Sequence, residues 1–198
     1  MSVREWSSYV RLSIRVYWSI LRGHCFSVYS RASRAQRSSK LSKWQAQNPN
    51  SARAVAYFKE GYNCSQSVVA AFADLYGFTH EQALHISASF GGGIGRSRLT
   101  CGAACGMFQL AGLEVAGMEG KDRETKSRNY AIVQELAARF KAENGSITCG
   151  ELLGLKRDAP VSNQAEARTA AYYAKRPCPK MVESAARIFA DYLDSIGR

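Results

Sequence analysis

Long apolar runs are scarce at the start of this chain. The stretch Val16–Leu21 is six residues between Arg15 and Arg22. A secretory h-region takes about 7–15 apolar residues and a spanning helix about 20. Neither is expected, which points to a reducing compartment and a cytoplasmic location. No Cys-x-x-Cys-His occurs, so no covalent haem is expected. The glycine-rich run "GGGIGRSR" lacks the Gly-Lys-Ser/Thr of a P-loop and follows no clear strand, so no nucleotide is expected. Carboxylates are not paired near any glycine or cysteine motif, which leaves hydrolase chemistry without footing. Strand-like alternation is missing too. With 46% hydrophobic residues a core can form, and the fold class expected is an all-α, compact multi-helix bundle.

Acidic residues are few in the first fifty positions, where nine Lys/Arg face only Glu5. Residues 51–198 hold 18 basic and 15 acidic residues and are nearly balanced. The basic character therefore belongs to an extension over residues 1–49, and no nucleic-acid partner is expected for the domain. At about 100° per residue, Arg4, Arg11, Arg15 and Arg22 fall within about 20° of one line. Residues 3–22 form a candidate basic amphipathic helix. One reading is a helix on the inner face of a membrane or a targeting leader. The other is an upstream extension absent from the mature protein. The Ser/Arg-rich run "SRASRAQRSSKLSK" has too few apolar residues to fold. The domain expected over 50–198 begins after it.

Helical spacing recurs through that domain. Helices are expected over 51–59, 64–76, from Thr79 onward, 101–115, 122–142, a short one after Thr148, 163–174 and 179–196. Expected inward residues include Leu75, Ile86, Phe90, Tyr130, Val133, Leu136 and Phe140. Thr79 with Gln82 reads as a capping box.

Six cysteines stand at 25, 64, 101, 105, 149 and 178. Four of them fall at expected helix starts. Asn63 precedes Cys64, with Gln66 in the third helical position. Thr100 precedes Cys101. Thr148 precedes Cys149, with Glu151 completing a capping box. Pro179, favoured at a first helical position, follows Cys178. A first turn offers unpaired N–H groups and about half a positive charge, which favour thiolate and an anionic iron–sulfur cluster. Gly102 and Gly150, each following a Thr-Cys pair, leave the sulfur approachable. Cys105 is either a fifth thiol at the site or a small core residue. Gly91, Gly92, Gly93 and Gly95 let backbone pass close to the cysteines with Arg96 and Arg98 beside them, or form a plain interhelical loop. His85 lines the site or is an ordinary histidine. Four inert buried cysteines are the competing reading of the whole set.

The pieces "GYNCSQSV", "GGGIG", "CGAACG", "CGELLG" and "CPKMVESAA" occur in that order. Together they resemble the family named for its cysteine pattern, C-GCAxxG-C-C, described as redox-active. The match spans residue 51 to about 190. Here the motif reads Cys-Gly-Ala, with the first two letters exchanged, so Cys101 aligns with the motif cysteine. The resemblance implies that Cys64, Cys101, Cys149 and Cys178 are the redox-active set. A similar domain in some cytochromes holds an iron–sulfur cluster.

Three readings follow. The first is an electron carrier with an iron–sulfur cluster on Cys64, Cys101, Cys149 and Cys178. Zinc is a weaker variant, because the intervals of 36, 47 and 28 residues between these four give no knuckle. The second is a metal-free thiol–disulfide protein. The third is a membrane-surface adaptor acting through the basic extension. The sequence names neither the redox partner protein nor the oligomeric state.

Overall fold

The structure is a computed structural model and describes residues 49–115 and 119–198. The candidate helix over 3–22 and Cys25 lie outside those residues. Eight α-helices and no strand occur among the described residues, which makes the fold all-α. They are α1 (Pro49–Glu60), α2 (Cys64–Ala71), α3 (His80–Ser87), α4 (Gly102–Glu114), α5 (Arg123–Asn144), α6 (Cys149–Leu152), α7 (Ala170–Lys175) and α8 (Cys178–Ser195).

Helix α2 is the centre. It is buried on nearly every side, by Cys64, Ser65, Ser67, Val68, Val69, Ala70 and Ala71. It packs against α1, α3, α4 and α8. Its start is fixed by a full capping box: Asn63 Oδ1 accepts from Ser65 and Gln66 N–H at 3.0 Å, and Gln66 Oε1 accepts from Asn63 N–H at 3.0 Å. Asn63 Nδ2 also donates to the Ala88 carbonyl at 2.9 Å. Asn63→Ala is expected to cost about 1–2 kcal/mol, read as a lower urea midpoint; an unchanged midpoint would show that the box contributes nothing.

Small residues set the spacing of α4 against α2. A Cβ on Gly106 would meet the Ser65 carbonyl oxygen and Val68 Cβ, both at 3.0 Å. Helix α8 then closes the core. Its strongly one-sided stripe buries Met181, Val182, Ala185, Phe189 and Tyr192. Phe189 meets Phe72 edge to face at 5.1 Å. Helix α5 covers α4 and α8 with Leu136 and Phe140.

Several expectations are corrected. The helix from Cys64 stops at Ala71, where Arg53 takes the Ala71 carbonyl. A 3₁₀ turn over Ala73–Tyr76 follows and ends at Gly77, φ +70°. That change of pitch turns Leu75 outward, 49% exposed. Ile86 and Tyr130 are exposed as well, because no element among the described residues covers their faces of α3 and α5. The helix expected over 163–174 is reduced to Ala170–Lys175, capped by Thr169, whose hydroxyl accepts from Tyr172 N–H. The residues before it are engaged elsewhere: the Ser162 carbonyl and Glu166 by Arg96, and Arg168 by Tyr62. These contacts override a weak helical preference.

Candidate functional site

Each of the four helix-start cysteines occupies the same kind of position. Cys64, Cys149 and Cys178 are the first residues of α2, α6 and α8, and Cys101 is the N-cap of α4. The Ala103 and Ala104 N–H groups favour the Cys101 thiolate, although the side chain makes no capping hydrogen bond. The two Thr-Cys-Gly tripeptides face one another. Thr100 and Thr148 form an isolated antiparallel bridge. Cys101 N–H donates to Ile147 at 2.8 Å, and Cys149 N–H to Leu99 at 2.6 Å. This bridge, rather than two threonine caps, explains the repeat. Neither Thr100 nor Thr148 caps a helix with its side chain, and Glu151 accepts from Ser146 instead of closing a box.

The starts of α2, α6 and α8 meet around one cavity of about 300 Å³. Cys64, Cys149 and Cys178 line it, together with Gly91, Gly92 and Gly95. Cys101 does not line it; it is 5% exposed and close enough to Cys149 and Cys178 for their charges to act on it. Cys105 is buried without lining the cavity, and its thiol donates to the Thr100 carbonyl at 3.8 Å. His80 and His85 are exposed on α3, away from the cavity lining.

The glycine loop is a left-handed turn. Gly92, Gly93, Ile94, Gly95 and Arg96 all have φ between +58° and +76°, and Arg98 has +61°. For the three non-glycine residues this costs about 1–2 kcal/mol each. The strained backbone presses on the cysteines. A Cβ on Gly93 would lie 2.5 Å from Cys149 Cβ, and one on Gly102 would lie 2.7 Å from the Phe90 carbonyl oxygen and 3.3 Å from Cys64 Cβ. Gly150 differs, since its nearest such neighbour is at 3.5 Å and leaves room for a methyl group.

Arginines wall the cavity. Arg98 stands beside Cys149 and Arg176 beside Cys178, each favouring the thiolate there. Arg168 lies over Phe58 at 4.8 Å and Tyr172 at 4.7 Å. Its Nη2 donates to Tyr62 O at 3.3 Å, while Nη1 is buried with no partner among the described residues. Sequence reasoning missed Glu166, Arg168, Tyr172 and Arg176. The first two sit in irregular backbone and carry no periodic signal. Arg176 had one, a basic residue two places before a helix-start cysteine.

The thiolate expectation is corrected by burial. Cys101 is pushed up to about 12 by desolvation, which outweighs its N–H donors, and Cys105 to about 11. Cys64 is raised well above the ordinary thiol, first by its hydrogen bond to Cys178 and then by desolvation. Cys149 is raised by desolvation against the pull of Arg98. Only Cys178 falls, to about 7, through the Cys64 hydrogen bond and the charges of Arg176 and Arg168. Helix N-termini alone do not offset the loss of water; at Cys178 the neighbouring Cys64 thiol and then two guanidinium groups do so.

Among the described residues no group of three His, Cys, Asp or Glu is set to hold one metal ion, and Cys64, Cys101, Cys105, Cys149 and Cys178 are free. No helix among them is long and apolar enough to cross a membrane. No curated protein and no solved structure matches this chain. The family model described as "Putative redox-active protein (C_GCAxxG_C_C)" matches residues 62–192. That interval contains all four helix-start cysteines, the glycine loop and the arginine wall, and the chain therefore belongs to the C_GCAxxG_C_C family of redox-active proteins.

Proposed function

We propose that this protein is an electron carrier whose Cys64, Cys101, Cys149 and Cys178 hold an iron–sulfur cluster. The observation that carries the reading is the meeting of three cysteine-bearing helix starts around one arginine-walled cavity, with Cys101 buried close to them. Four thiolates and inorganic sulfide make an anionic group, and the chain supplies what such a group needs. Arg98 and Arg176 already stand beside cysteine sulfurs, and Arg168 brings a buried donor with no acceptor among the described residues. Sulfurs around a single zinc ion stand about 2.3 Å from it. Cysteines spread around a cavity, with no three set for one ion, suit a polynuclear group better. When bound, the cluster supplies one-electron transfer. The chain holds it, excludes water through the close-set glycine loop and balances its charge.

Anaerobic purification followed by iron, sulfide and zinc analysis tests this. Iron and acid-labile sulfide in equal amounts are expected. A colourless protein with no metal after attempted reconstitution would end the reading.

The closeness of Cys64 and Cys178, which line one cavity and shift each other's ionisation, favours a second reading, a metal-free dithiol. Oxidation would join the two sulfurs and release two electrons and two protons to a disulfide or peroxide partner. It requires Cα atoms roughly 4.4–6.8 Å apart and a loss of two free thiols under mild peroxide. In metal-free protein, Cys178 is expected to alkylate first. Its thiolate fraction should rise through a midpoint of about 7, whereas Cys101 and Cys105 stay protonated until about 12 and 11. Iodoacetamide labelling mapped by mass spectrometry between pH 6 and 9 checks this; equal labelling of the three at pH 7.5 would contradict it.

A further inference from the structure

The segment 159–169, which replaces part of an expected helix, lies across the arginine wall. Its backbone hydrogen bonds are local, from Ala159 N–H to Lys156, from Thr169 N–H to Ala167 and from Gln164 N–H to Ser162 Oγ. What ties it to the arginine loop is polar: Arg96 Nε donates to the Ser162 carbonyl at 2.8 Å, and Glu166 Oε1 meets three guanidinium groups. Arg96 is at 3.3 Å, Arg98 at 4.0 Å, and Arg176 is the closest. All three converge on one oxygen of one carboxylate.

That is a mismatch of supply and demand. Each guanidinium presents five N–H donors in a planar fork. One carboxylate oxygen uses few of them, and the carboxylate is itself 43% exposed at its side chain. Arg96 and Arg98 are also held at φ +65° and +61°, a conformation that arginine enters only at a cost. Backbone strain therefore brings two of the three cations to this point. The spot lies between two cavities. Glu166, Arg96, Arg98 and Arg176 line both the cysteine cavity and a neighbouring one of about 680 Å³, to which Lys175 adds another cation.

We propose that Arg96, Arg98 and Arg176 form a binding site for a tetrahedral oxyanion, free or as the end group of a small molecule, and that Glu166 is its built-in placeholder. Three or more acceptor oxygens match three forks where one oxygen does not. The outer cavity has room for the body of such a ligand. An arriving oxyanion displaces Glu166 and frees segment 159–169 from the mouth of the cysteine cavity, since Asn163, Ala165 and Glu166 line that mouth. Arg98 and Arg176 also stand beside Cys149 and Cys178, so the oxyanion site and the cysteine site share these two cations.

Calorimetric titration of the full-length chain at constant ionic strength tests it, with inorganic phosphate and glycerol phosphate as probes. Glu166→Gln keeps the shape and removes the competitor. If the carboxylate leaves the site open about a tenth of the time, the variant should bind either probe about tenfold more tightly than the wild type. Adding Arg96→Gln should remove the gain. Tighter binding of the ester than of phosphate assigns an end group, and equal binding assigns the free anion; both support the site. The nine basic residues of residues 1–50 give a background shared by all variants. In the wild type, phosphate but not chloride should also speed tryptic cleavage after Arg168. Equal affinity in wild type and Glu166→Gln, a gain that survives Arg96→Gln, or cleavage indifferent to phosphate would each overturn the proposal.

Discussion

Serine in place of Cys101 is expected to remove bound iron while leaving the metal-free fold as stable as the wild type. Cys101 is the N-cap of α4, and the Ala103 and Ala104 N–H groups favour its thiolate. Serine is among the best N-caps and can accept from first-turn N–H groups. The structural role is thus preserved while the thiolate is lost. Removing even an outer-shell partner costs metal affinity about 10–100-fold, so loss of a ligand should lower iron per chain by about tenfold or more. Cys105→Ser is the matched control, because that thiol is spent on the Thr100 carbonyl. Iron content and urea midpoint, measured on both variants, separate the roles. Iron retained in Cys101→Ser would make Cys101 a capping residue only.

Gly93→Ala is expected to cost about 2–5 kcal/mol. The left-handed backbone contributes about 1–2 and overpacking about 1–3, since the new Cβ would lie 2.5 Å from Cys149 Cβ. Gly150→Ala should be neutral or slightly stabilising. Its nearest neighbour beyond the local helix is at 3.5 Å, and alanine is the better helix former. Urea midpoints of the two variants decide it. Equal midpoints would mean that the loop yields freely and does not press on the cysteine site.

The helix starts were the legible part of this fold, because capping is local chemistry. Asn63 with Gln66 and Thr79 with Gln82 form the expected boxes. Position 148 shows the limit of that logic. Thr148 and Glu151 have the right spacing, yet the bridge to Thr100 claims the backbone and Ser146 claims the carboxylate. Nothing local announces a pairing between residues so far apart in sequence. The same holds for Glu166 and Arg168, whose positions come from arginines and rings on other elements. Thiol ionisation was misjudged for a related reason. The helix terminus is written in the sequence, whereas the desolvation that outweighs it at Cys101 comes from packing. The glycine run indicated a close approach, and Gly93 against Cys149 is one; the left-handed Arg96 and Arg98 within it were not legible, because non-glycine residues rarely adopt that backbone.

X-ray absorption at the iron edge of the anaerobically purified, full-length chain tests the cluster most directly. The expected spectrum has a first shell of sulfur alone and an iron–iron scattering path. A first shell of nitrogen or oxygen, an isolated iron with no iron neighbour, or a protein that carries zinc and no iron would contradict a cluster held by Cys64, Cys101, Cys149 and Cys178.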